Sequence, residues 1–241
     1  PVRFPFHFRR LVRRHAFDVV HSHIHLQSGF VVRQAARLHV PTRIVHFRSS
    51  RDGGGASPVR RLQRSVLRNW IGRYATNILS VGEGAMDAVW GPLWRDDPRC
   101  RVVYSGLDPA TFDGPREAAE VRREFGFPHD SRLLIHAGRF VREKNHVRLL
   151  DLFDTLHRRR PDVRLLMVGW DPSGISETIK QRIRALGLTG RAVVSGERRD
   201  IPRLLKAADL LVFPSLWEGL PGVVLESAAA GTPVLAADLP G

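Results

Sequence analysis

Short apolar runs alternate with amphipathic ones along almost the whole chain. Asp18-Val-Val-His-Ser-His23, Thr42 to Phe47, Asn77 to Val81 and Arg101 to Tyr104 have the β-branched character of strands covered on both faces. Between them, 6–15, Ser28 to Leu38, 59–75 and the stretch around Gly84 to Trp90 repeat apolar positions at helical spacing. Ser28 reads as the cap of its helix, and the 59–75 helix gathers Leu62, Val66, Leu67, Trp70 and Ile71 on one face. The glycines and proline of Ser49 to Pro58 predict a mobile loop. The pattern lapses between about 106 and 130, in Gly106 to Phe112 and a charged stretch ending at Pro128. It resumes as strand 132–137, helix 143–159, strand 163–168, helix 174–186, strand 192–195, helix 201–207, strand 210–213, helix 221–230 and strand 233–237. Strict alternation of strand and helix is the signature of parallel strands joined by crossover helices. The predicted fold class is therefore α/β, two doubly wound parallel-sheet domains at 1–112 and 113–241, the second built on five buried strands.

Two places at the ends of predicted strands carry chemistry. Gly138-Arg139-Phe-Val-Arg-Glu-Lys144-Asn145 follows one strand and opens a helix; its glycine admits close backbone approach, and its two cations can meet one diphosphate with the helix dipole behind them. Val168-Gly169 and Ser195-Gly196 end neighbouring strands on small residues, as close packing around a ligand requires. The second place is Phe213-Pro-Ser-Leu-Trp-Glu218-Gly219-Leu220-Pro-Gly-Val-Val-Leu-Glu226, a strand end, a loop holding one carboxylate and a helix holding another. Leu220, Val223, Val224 and Leu225 surround both carboxylates with core-forming types, and a charge in such a setting usually has a partner. An acid/base pair of the glycosidase kind is a rival for Glu218 and Glu226, but it leaves Arg139 and Lys144 without a task.

Charge and cysteine content narrow the classes. Lys and Arg total 38 against 24 Asp and Glu, a net charge of +14 that suits nucleic acid, an anionic membrane face or a phosphorylated substrate. No helix-turn-helix, zinc-finger or aromatic RNA-binding pattern is present, so nucleic acid is not expected. The single cysteine, Cys100, excludes an internal disulfide and a thiolate cluster and fits a reducing compartment. His21, His23 and His25 alternate and would share one strand face, as His-x-His metal ligands do, yet no carboxylate cluster at the later strand ends completes such a site. The absence of an initiator Met and of a covering element after the last strand lead us to expect a piece of a longer protein, with the first domain lacking its start and the second its end.

In combination, Gly138-Arg139 with Lys144-Asn145, Val168-Gly169, Ser195-Gly196, Phe213-Pro-Ser-Leu-Trp-Glu218-Gly-Leu-Pro, Glu226 and Ala230-Gly231-Thr-Pro-Val resemble the donor domain of retaining GT-B glycosyltransferases of family 4. The first half is similar to that family's acceptor domain in Val20-His21-Ser-His23, in Ile44-Val-His46 and in Tyr104-Ser105-Gly106-Leu107-Asp108, where Ser105 replaces the usual Asn of the hinge. The resemblance implies two Rossmann-like domains and a hexosyltransferase-like activity that moves a sugar, with retention, from a nucleoside-diphosphate sugar to an acceptor hydroxyl, as in polysaccharide, lipopolysaccharide or glycolipid synthesis. Arg139 and Lys144 would bind the diphosphate at Gly138 and Gly169. Glu218 would hold donor-sugar hydroxyls with the amides of Gly219 and Leu220 near the phosphates, Glu226 the ribose, and His46 would sit beside the donor sugar. No cofactor and no metal are implied. A sugar or lipid-linked acceptor, the cytoplasm and a peripheral place at the inner face of an anionic membrane are the accompanying expectations. The alternative is a non-catalytic α/β module that binds anionic membrane or another polyanion through its basic helices.

Overall fold

The computed structural model describes residues 4–52, 55 and 57–239. The described residues form two compact units. One runs to Ser105 and takes in Trp217–Leu220; the other comprises Gly106–Leu216 and Pro221–Leu239. The division falls ahead of the sequence-based boundary at 112/113, because Phe112 is buried in the core of the second unit. Gly53, Gly54 and Ala56 of the expected mobile loop lie outside the described residues.

The first unit is a four-stranded parallel sheet in the order β1 (Val19–Ser22), β2 (Thr42–Phe47), β3 (Asn77–Ser80) and β4 (Cys100–Val102). Helices α1 (Phe4–His15), α2 (Ser28–Arg37), α3 (Pro58–Tyr74) and α4 (Glu83–Trp90) alternate with the strands. Val45, Phe47, Ile71, Ile78 and Met86 form its core. Against expectation, Ser28 does not cap α2. It is the first helical residue, and its buried hydroxyl takes a hydrogen bond from Ser22 Oγ at 2.9 Å. α3 is capped instead by Ser57, whose hydroxyl accepts from the Arg60 amide. Of the apolar face read on α3, Leu67 and Ile71 are buried whereas Leu62 stays 67% exposed, so the buried stripe is narrower than its sequence suggests. Where α2 crosses α3, a Cβ on Gly29 would lie 2.2 Å from the Leu67 carbonyl oxygen, so glycine permits that crossing.

The second unit carries five parallel strands in the order β7 (Ala192–Gly196), β6 (Val163–Val168), β5 (Arg132–Ala137), β8 (Leu210–Phe213) and β9 (Val234–Ala236). Its helices are α5 (Ala118–Glu124), α6 (His146–Arg159), α7 (Ile175–Ala185), α8 (Ile201–Ala207) and α9 (Gly222–Ala229). One face of the sheet packs Leu149, Leu150, Phe153 and Ile179, the other Val121, Phe127, Leu204 and Leu205. Three strands, β5, β6 and β8, are largely buried; the two edge strands are not, since β7 is buried only at Ala192 and Leu235 of β9 is 58% exposed. The charged stretch read as irregular contains α5. That helix buries Arg122 as well as Val121: the guanidinium donates to the Ser131 carbonyl and, at 2.7 Å, to Asp209, which in turn accepts from the Leu133 amide. Among the described residues no helix is long and apolar enough to cross a membrane.

Candidate functional site

The strands of the second unit end together at one sheet edge. The Gly138 amide continues the ladder to the Val168 carbonyl at 2.9 Å, and the Gly169 amide to that of Gly196 at 2.8 Å. A Cβ on Gly169 would stand 1.8 Å from the Gly138 carbonyl oxygen, so only glycine lets these two backbones meet. Beyond them opens a cleft of about 380 Å³ lined by Gly138, Arg139, Lys144, Gly169, Trp170, Glu197, Arg198, Gly222, Val223 and Glu226. Clefts outside the carboxyl ends of parallel strands are where such sheets bind ligands. Five of the residues singled out in the sequence therefore share one cleft: Gly138, Arg139, Lys144, Gly169 and Glu226.

The two cations are held differently. Arg139 is exposed and lies 3.6 Å from Glu143, one helical turn's spacing away. Lys144 runs its stem along Gly138 and places its ammonium 4.5 Å from the centre of the Phe213 ring. It does not stand on a helix, contrary to the expected 143–159 element. Arg142–Lys144 form a 3-10 turn, Asn145 adopts the left-handed conformation (φ 55°, ψ 46°), and α6 starts only at His146. Asn145 Nδ2 donates to the Pro214 carbonyl at 3.1 Å and the Leu216 amide to that of Glu143 at 2.8 Å. The loop after β5 is thereby stitched to the loop after β8.

Glu226 is half-buried on α9, and no ion pair or hydrogen bond reaches its carboxylate among the described residues. Burial raises its pKa above the ordinary glutamate value. The apolar residues around it are half-buried rather than core: in α9 only Ser227 is fully buried, and Val223 packs at the margin of a core cluster. Pro221 gives α9 no side-chain cap, so its first amides open where Gly222 and Val223 line the cleft. A cleft with two cations, an uncapped helix start and a carboxylate that can accept from hydroxyls suits a ligand anionic at one end and hydroxylated at the other.

Sequence reasoning overlooked three of the lining residues. Trp170 directly follows the Gly169 strand end and is 54% exposed, the one available signal. Glu197 and Arg198 follow Gly196, and Arg198 is tied to Asp200 at 2.8 Å and Glu124 at 2.7 Å.

Glu218, Gly219 and Leu220 belong by their contacts to the first unit. There the Glu218 carbonyl accepts from the Ser50 amide at 3.2 Å, and Gly219 bridges antiparallel to Ser49. A Cβ on Gly219 would lie 2.4 Å from the Arg48 carbonyl oxygen. His46, in β2 of the same unit, is 6% exposed, and neither ring nitrogen has a partner among the described residues. Its pKa falls to about 4, through burial first and then the like charges of His23, His21 and Arg48. The expected row of His21, His23 and His25 does not form, because β1 ends at Ser22 and His25 turns away with φ 53° to meet Phe47 edge-on. His46 joins His21 and His23 instead, with ring centres 5.4 and 5.1 Å away.

Known proteins place this architecture. The family model of glycosyl transferases group 1 matches 117–241, and that of the glycosyl transferase 4-like domain matches 1–106. The capsular polysaccharide biosynthesis glycosyltransferase CapH of Staphylococcus aureus is 29% identical over 93% of this chain and 60% of its own length. The UDP-Gal:alpha-D-GlcNAc-diphosphoundecaprenol alpha-1,3-galactosyltransferase of Escherichia coli is 25% identical over 96% of this chain and 60% of its own. The chain thus spans somewhat under two thirds of the length of these relatives. Anabaena Alr3699/HepE, in a crystal structure with UDP and glucose, superposes with a TM-score of 0.79 at 22% identity, over 97% of this chain and 63% of that one. The chain belongs to the glycosyl transferases group 1 family and has the GT-B fold of family 4 glycosyltransferases.

Proposed function

We propose that this chain is the greater part of a retaining glycosyltransferase that takes its sugar from a nucleoside diphosphate and places it on an acceptor hydroxyl in surface polysaccharide or glycolipid assembly. The observation that carries the reading is the convergence of Arg139, Lys144, the open start of α9 and the unpartnered Glu226 on one cleft of the second unit. The polysaccharide setting is carried over from the relatives' names.

When the glycosidic bond breaks, negative charge develops on the diphosphate. Fixed cations and amides lower the barrier because they need no reorganisation as that charge appears. Arg139 and Lys144 would supply this stabilisation, and Glu226 would accept from the ribose hydroxyls. The acceptor hydroxyl would attack on the leaving-group side and give its proton to a phosphate oxygen, so no carboxylate acts as nucleophile and no metal is required. The family resemblance assigns Glu218 to the donor-sugar hydroxyls, the Gly219 and Leu220 amides to the phosphates and His46 to a positioning role.

Calorimetric titration of the full-length protein with UDP, GDP and ADP, and with their sugar conjugates, tests the reading. Charge-assisted hydrogen bonds contribute about 1.5–3 kcal/mol each, so Arg139→Ala/Lys144→Ala should weaken binding by at least ~100-fold. Absence of binding by every nucleoside diphosphate, or equal binding by the double variant, overturns it.

A membrane-borne acceptor is favoured by α1, which leaves Phe6 69% and Leu11 50% exposed beside Arg9, Arg10, Arg13 and Arg14. Apolar side chains among cations suit peripheral attachment to an anionic bilayer, here the inner face of the cytoplasmic membrane. Sedimentation with phosphatidylglycerol vesicles that is lost in Phe6→Ser/Leu11→Ser supports this; equal sedimentation by the variant refutes it.

A further inference from the structure

Outside the cleft, the first unit gathers three histidines at its own sheet edge. β1 and β2 run parallel with Ile44 beside His21, and His46, two residues beyond Ile44, lies on the same face. His23 follows the end of β1. We propose that His21, His23 and His46 form a binding site for one divalent transition-metal ion of the zinc class.

The geometry is close to what such an ion needs. One ring nitrogen from each residue lies within 4.8 Å of the other two. With metal–nitrogen bonds of about 2.0–2.1 Å, three imidazoles on a tetrahedral ion have ring centres roughly 5.1 Å apart. His46 already stands 5.1 Å from His23 and 5.4 Å from His21. Only the His21–His23 separation, 4.1 Å, must widen, and both of these side chains are exposed and so able to turn.

A further feature points to a ligand. His46 is only 6% exposed, and both its nitrogens lack a partner among the described residues; a coordinate bond would satisfy one of them. No carboxylate joins the set, which selects zinc, cobalt, nickel or copper over magnesium or calcium. Arg48 is an opposing charge, near enough to act electrostatically on both His21 and His46. It disfavours a bare dication but favours an anion or hydroxide at the fourth position, the coordination site that three histidines leave open. An ion here would engage His46 and so compete with the positioning role proposed for it; it is not a participant in sugar transfer.

Cobalt(II) reports such a site directly. Titration of the chelator-treated full-length protein should produce visible d–d bands of tetrahedral cobalt that saturate at one equivalent, and zinc(II) should abolish them. His21→Ala and His23→Ala, exposed positions whose replacement leaves the core intact, should each weaken cobalt binding by on the order of tenfold or more. His25→Ala, outside the cluster, should leave it unchanged. No bands at one equivalent, or bands that persist in His21→Ala/His23→Ala, would overturn the assignment; so would their loss in His25→Ala alone.

Discussion

Acid should unfold the second unit earlier than its carboxylates require, because two histidines are buried neutral beneath the cleft. His136 lies in the central strand β5 with no exposure, and its Nδ1–H donates to the Val212 carbonyl at 2.9 Å. His146, 3% exposed, stacks on Phe140 with ring centres 4.6 Å apart and meets His136 edge-on at 4.8 Å. Burial, with the nearby Lys144 charge adding to it, lowers their pKa values to about 4 and about 3. In the unfolded chain both return to about 6.5. Above that value neither state is charged and the contribution to stability is complete. As pH falls below it the unfolded chain binds two protons that the folded one refuses, and stability is lost until the folded values are reached. Each histidine costs ~1.4 kcal/mol per pH unit, so going from pH 7.5 to 5 removes roughly 2 kcal/mol per group and about 4 kcal/mol for the pair. Urea unfolding at pH 7.5, 6.5 and 5 measures this. Circular dichroism reports both units, whereas fluorescence is weighted to the first, which holds Trp70, Trp90, Trp94 and Trp217 against Trp170 alone in the second. His146→Phe keeps the stacking on Phe140 and should halve the acid slope of the second unit. Parallel loss of stability in wild type and variant would refute the reasoning.

Two further outcomes follow from the cleft. Gly169→Ala must separate the ends of β5 and β6, since the obstacle is the Gly138 backbone rather than a pliable side chain, and should cost about 3 kcal/mol or more together with nucleotide binding; thermal melting at the wild-type temperature would show that the backbones do not approach as described. Glu226→Gln removes a half-buried charge whose desolvation raises its pKa, so it should melt no lower than wild type at neutral pH while losing about 10- to 100-fold in nucleoside affinity; a lower melting temperature with unchanged affinity would make Glu226 structural.

The contrast between what the sequence disclosed and what it hid follows from the range of the interactions concerned. β6 was evident because Val163, Leu165, Leu166, Met167 and Val168 are all buried, so the helices on its two faces are written into one apolar run. β9 misled by the same token: Val-Leu-Ala at a sheet edge leaves Leu235 in solvent, and nothing local separates an edge from a centre. α5 escaped notice because it offers an arginine to the interior, and the charge of Arg122 is balanced there by Asp209, far along the chain. Asn145 gave a local hint, being a residue type that tolerates the left-handed conformation, but the turn it makes is fixed by the Pro214 carbonyl. The cleft was largely readable because it is built from strand ends, whose glycines and charges sit at predictable offsets. The histidine cluster was not. Its membership depends on the register between β1 and β2, and a strand three residues longer would have kept His25 in line with His21 and His23. Glu218 is the sharpest instance. It stands eight residues before Glu226 in sequence, and the Ser49–Gly219 bridge gives its loop to the first unit, a choice made by backbone hydrogen bonds that no side-chain pattern records.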